Sequence, residues 1–103
     1  MAMVKKSAGM VKEFANAPLH GVTIDNKQIL VANAGGNYFA IGNVCTHNGC
    51  RLSGGKLEGE TVRCPCHGSG FDLRTGNAVH GPAKNPEPSF RVTVEKGELF
   101  IDV

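Results

Sequence analysis

Cys64-Pro65-Cys66-His67-Gly68-Ser69-Gly70-Phe71 packs two thiols and an imidazole into four positions. Upstream, Cys45-Thr46-His47-Asn48-Gly49-Cys50 does nearly the same, again with two thiols and one imidazole. All four cysteines of the chain fall within these two stretches, and each pair has a histidine close by, His47 inside the first pair and His67 directly after the second. A secreted disulfide framework spreads its cysteines along the chain, whereas clustering with histidine favours metal.

The surroundings fit a staple of that kind. Residues 44–82 are rich in Gly, Pro, Cys and His and poor in apolar periodicity, so burial alone cannot hold them. Strand-like runs flank the insert at 22–24, 27–33, 38–42, 90–95 and 99–102, and shorter ones fall inside it at 61–64 and 71–72. Asp25-Asn26, Ala34-Gly35-Gly36-Asn37 and Lys96-Gly97 supply turn chemistry between successive runs. With 14 glycines and 5 prolines, the chain has the texture of an all-β domain. The one helical candidate, over 10–17, is a turn or two ended by Pro18.

A chain of 103 residues is the size of one domain, here 1–103. The net charge of +2 is spread over scattered lysines, and aromatic residues interleave with no basic run, which speaks against nucleic acid. The longest apolar run, Ile29-Leu30-Val31-Ala32, is far short of the roughly 20 residues that span a bilayer. No apolar segment follows Lys5-Lys6, so a secretory signal is not expected, and the protein is expected to be soluble and cytoplasmic.

Cys45-x-His47, sixteen intervening residues (48–63) and Cys64-x-x-His67 offer two thiolates and two imidazoles. Zinc accepts such a set, but its finger spacing places the cysteines in one loop and the histidines in the other. A four-cysteine iron–sulfur site would use Cys50 and Cys66 and leave both histidines idle. A nucleophilic Cys–His pair needs one cysteine and one base, and leaves the duplication unexplained. A mixed cluster with thiolates on one iron and imidazoles on the other uses both loops.

The sequence resembles the Rieske [2Fe–2S] proteins. The C-x-H-x16-C-x-x-H pattern carries the likeness, together with Phe71-Asp72-Leu73-Arg74-Thr75-Gly76, Gly81-Pro82-Ala83 and the flanking strands. The resemblance implies a β-sandwich base domain with a small loop-rich cluster-binding subdomain at about 44–82, carrying one [2Fe–2S] cluster per chain. Carried across, Cys45 and Cys64 hold the inner iron, and His47 and His67 hold the outer iron at a solvent-facing tip. Cys50 and Cys66 match a disulfide between the cluster loops of the cytochrome bc members, a pair that many small oxygenase ferredoxins lack. Such a bridge closes fifteen residues, worth about 3 kcal/mol in the loop-entropy description.

Further positions follow from the resemblance. Ser69 matches a serine that donates to a bridging sulfide, and Pro82 lies in the loop that shields the cluster. Where high-potential members have a tyrosine donating to a ligand sulfur, this chain has Phe71, so a potential below the respiratory type is expected. Asn48 replaces a leucine that takes part in quinone docking, which makes a quinone an unlikely partner. Gly49 and Gly68 adjoin ligands, where their N–H groups could approach sulfide or simply serve a turn; His20 and His80 read as surface histidines.

Ligand charge explains the chemistry. Replacing two thiolates by neutral imidazoles removes two negative charges, each worth roughly 4 kcal/mol at about 4 Å and an effective dielectric near 20. For one electron that is roughly 180 mV per charge, the right order for a comparatively oxidising carrier. The expected function is a one-electron carrier without substrate chemistry, docking protein partners such as an oxygenase or reductase at the His47/His67 tip, as a monomer. The alternatives are an electron-transfer subunit of a larger oxygenase or respiratory-type complex, and a structural zinc module.

Overall fold

Ile29, Leu30, Val31 and Ala32 are fully buried in β3 (Lys27–Ala34). Successive side chains of a strand point to opposite faces, so burial of all four requires cover on both sides. The structure, a computed structural model describing residues 4–15, 17–46, 49–66 and 68–103, supplies that cover with three antiparallel sheets.

β3 lies inside the middle sheet, ordered β2 (Leu19–Ile24), β3, β4 (Asn37–Gly42), β9 (Ser89–Phe90). Ile29 and Val31 join Ala40, Phe14, Leu99 and Ile101 in one core. The last two come from a sheet ordered β1 (Lys5–Met10), β11 (Glu98–Asp102), β10 (Val92–Glu95). Leu30, Ala32 and Ala34 turn the other way and join Ile41, Leu52, Val62, Phe71, Leu73, Ala83, Cys45 and Cys64. This second core faces a small sheet ordered β5 (Lys56–Glu58), β6 (Thr61–Arg63), β7 (Gly70–Asp72), β8 (Ala78–His80), inserted between β4 and β9.

The hairpins follow their turn residues. Asp25 and Asn26, Gly35 and Gly36, and Lys96 and Gly97 all have positive φ, the pairwise left-handed geometry that two-residue hairpins favour. The expected helix at 10–17 is only a 3-10 turn, Val11–Phe14, whose Glu13 carboxylate accepts from the Met10 N–H at 2.7 Å. Four residues and an early proline leave no room for the hydrogen-bonded propagation that sustains an α-helix. No helix among the described residues is long and apolar enough to cross a membrane.

Candidate metal centre

Both cysteine loops are built on one hydrogen-bond frame. In the first, the Cys45 N–H donates to the Cys50 C=O at 2.8 Å and the Gly49 N–H to the Cys45 C=O at 2.9 Å. In the second, the Cys64 N–H donates to the Ser69 C=O at 2.7 Å and the Gly68 N–H to the Cys64 C=O at 3.1 Å. The offsets are identical: residue i to i+5, and i+4 back to i. Gly49 and Gly68 hold φ of 79° and 76°, a region that disfavours other residues. Their N–H groups are engaged within their own loops, so both glycines have the turn role.

Cys45 and Cys64, at the heads of these loops, are 2% and 3% exposed and belong to the second core. Cys50 and Cys66 form a disulfide across the loops, with Cα atoms 6.5 Å apart. The sulfur atoms of Cys50, Cys64 and Cys66 lie within 4.8 Å of one another. The four cysteines therefore divide into a buried pair and a bridging pair. His47, Asn48 and His67 lie outside the described residues.

The loops are clamped from several sides. Asn43 is buried; its side-chain amide donates to Ser53 Oγ at 3.1 Å, its Oδ1 accepts from the Ser53 N–H at 2.8 Å, and its C=O accepts from the Leu52 N–H at 2.7 Å. A Val44–Arg51 bridge closes the base of the first loop. Arg63 caps the second, with Nη1 donating to the Gly68 C=O at 2.9 Å while Nε pairs with Glu58 at 3.2 Å. Ser69 is fully buried, and its Oγ accepts from the Ala83 N–H at 3.1 Å, tying the second loop to the segment after the cis Gly81–Pro82 peptide. Phe71 is fully buried in the same core, whereas Pro82 is exposed.

A third clamp holds Thr46, between Cys45 and His47. Its hydroxyl donates to the Asn85 C=O at 2.8 Å, and its backbone N–H donates to the Glu87 carboxylate. Glu87 is 5% exposed, and its Oε2 has no hydrogen-bond partner among the described residues. Burial pushes its pKa up to about 7, against the lowering effect of the Thr46 N–H. Sequence reasoning missed Asn43, Arg63 and Glu87, whose roles come from contacts distant in sequence. The signal for Glu87 was a lone acid between Pro86 and Pro88, directly after the Gly81-Pro82-Ala83 loop. His20 is half-buried rather than on the surface, with its ring edge-on to Phe14 and Nε2 hydrogen-bonded to the Ala17 C=O at 3.0 Å. His80 is exposed.

The donor chemistry suits an iron–sulfur group: two buried thiols head matched loops, and no described residue lies within 4 Å of where a Cβ on Gly49 or Gly68 would sit. Residues 5–94 match the family described as the Rieske [2Fe-2S] domain. The chain is 42% identical over 76 residues to the 3-phenylpropionate/cinnamic acid dioxygenase ferredoxin subunit of Escherichia coli K12, covering 73% of this chain and 72% of that one. Sphingomonas yanoikuyae B1 ferredoxin superposes with a TM-score of 0.90 at 31% identity, over 97% of this chain and 99% of the other. A structure described as the complex of reduced oxygenase and oxidized ferredoxin in carbazole 1,9a-dioxygenase gives 0.89 at 26% identity, over 96% and 93%. The chain belongs to the Rieske [2Fe–2S] family. It is an electron carrier of the ferredoxin kind, binding a [2Fe–2S] cluster, and not a catalytic enzyme.

Proposed function

We propose that Cys45 and Cys64 hold one iron of the cluster and His47 and His67 the other, and that the carrier serves an oxygenase. The observation that supports this most is the shared frame of the two loops. It sets one buried cysteine at the head of each, with a histidine two positions on in the first and three in the second. When bound, the cluster supplies a one-electron couple whose potential the imidazole ligands raise. The chain's own residues do the rest. The Cys50–Cys66 bridge and the Asn43, Arg63 and Thr46 clamps fix the loops, so little reorganises on electron uptake. Ser69, oriented by the Ala83 N–H it accepts from, keeps its own O–H proton to donate toward sulfide.

Docking takes place where the two loops meet, at the His47/His67 tip. The described residues around it, Val44, Thr46, Gly49, Pro65 and Cys66, are exposed, so this end offers an accessible edge with little cover. A small, weak interface suits a carrier that must release its partner after each transfer. The carrier acts as a monomer in the cytoplasm, and Asn48 in place of an apolar residue disfavours quinone. A redox titration across pH tests the ligand set. With histidine ligation the potential falls as pH rises through the alkaline range, because oxidation acidifies the free ring N–H of each ligand. A potential independent of pH there contradicts it.

A further inference from the structure

Glu87 is fixed on three sides. Its N–H donates to the Gly76 C=O at 2.7 Å, and a Cβ at Gly76 would overlap the Glu87 carbonyl. Its Oε1 lies over Gly42, where a Cβ would overlap it, while the Gly42 N–H donates to the next residue's carbonyl, that of Pro88, at 2.9 Å. The Thr46 N–H is directed at the carboxylate, and Oε2 is buried with no partner among the described residues. An ionised carboxylate needs partners for both oxygens, and among the described residues this one has them for one side only.

From the geometry we propose that Glu87 takes up a proton at Oε2 when the carrier is reduced and releases it when the carrier is oxidised. The electron arrives from the redox partner that the carrier already uses. The proton comes from solvent and forms the O–H bond on Oε2, so the added negative charge is neutralised beside the first ligand loop. Oxidation runs both steps backward. A negative charge arriving near a carboxylate disfavours its ionised form, which gives the coupling its sign. With a pKa raised to about 7, the group changes state near neutral pH.

The residues that face Glu87 leave it to respond to that charge. Thr46 from the ligand loop, Gly42 from β4 and Gly76 from the turn after β7 are all uncharged. Of the charged residues flanking these segments, Arg74 is paired with Glu60 at 3.1 Å and Lys84 is exposed. Among the described residues, burial and the Thr46 N–H are the causes of its shift, with no charged side chain among them. His47, next to Thr46, lies outside the described residues and is assigned to the cluster above. The inference rests on that assignment only for the place of the cluster, between the loops.

Reduced-minus-oxidised infrared spectra of the cluster-loaded protein at about pH 7.5 test it, alongside potentials between about pH 6 and pH 8. The expected result is a protonated-carboxyl C=O band that appears on reduction, shifts in D2O and is lost in Glu87→Gln. The wild-type potential falls across that window, and the variant loses this fall while keeping any alkaline one due to imidazole. A tenfold rise in proton affinity on reduction appears as about 59 mV between the plateaus. Should Glu87→Gln fail to load the cluster, Glu87→Asp is expected to keep a carboxyl band at a displaced frequency. No band on reduction, or one unchanged in these variants, overturns the inference. An alkaline dependence retained without the neutral one defeats the Glu87 role alone; loss of the alkaline dependence defeats histidine ligation.

Discussion

At the scale of single residues, Phe71 and Glu87 make opposite kinds of statement. Phe71 is an apolar residue fully buried where the resemblance points to a hydroxyl donor. Phe71→Tyr is expected to raise the reduction potential, because a hydroxyl directed at a ligand sulfur stabilises the added electron. Protein-film voltammetry at fixed pH checks this, and an unchanged or lower value counts against the placement of Phe71. Glu87 is an acid buried where an ionised group is costly, with its pKa moved from 4.5 to about 7. Between these values the unfolded chain has released its proton and the folded chain has kept it. The Glu87 contribution to stability therefore declines as pH rises through that window and levels off above about 7. Other carboxylates add slopes of their own, so the comparison is between wild type and Glu87→Gln. The variant is expected to gain on wild type in apparent unfolding temperature between about pH 5 and pH 8, at one scan rate.

At the scale of elements, the hairpins were legible because Asp-Asn, Gly-Gly and Lys-Gly state their backbone geometry locally. β1, β5 and β8 were not. Lys5–Met10 contains no β-branched residue and becomes a strand because β11 offers it an edge, from Lys5 against Asp102 to Met10 against Glu98. Lys56–Glu58 and Ala78–His80 are too short for an alternation to register, and pairing with β6 and β7 makes them strands. The pairing of Cys50 with Cys66 was legible through the family resemblance, and the structure brings those two residues together. Replacing both by alanine is expected to lower stability by about 3 kcal/mol, the loop-entropy value for fifteen enclosed residues. Thermal half-life of the visible chromophore reads this out; a half-life equal to that of wild type shows that the clamps alone hold the loops.

At the scale of the whole molecule, the middle sheet is the platform. Its apolar run Ile29-Leu30-Val31-Ala32, readable as a strand from sequence, proves to be covered on both faces, and one of those faces holds Cys45 and Cys64. That two-sidedness was not legible, because a short apolar run has the same appearance under one cover or two. The cysteine part of the site, with Cys45 and Cys64 buried at the heads of two loops, was legible in its residue types and spacing. Its supports at Asn43, Arg63 and Glu87 were not, since hydrogen bonds across a fold leave no local pattern. The account depends on a cluster held by sulfur at one iron and by nitrogen at the other. Electron paramagnetic resonance of the reduced protein, with pulsed detection of nitrogen, tests this most directly. The account predicts two nitrogen couplings to the reduced cluster; a spectrum with none, or a purified protein without acid-labile sulfide, contradicts it.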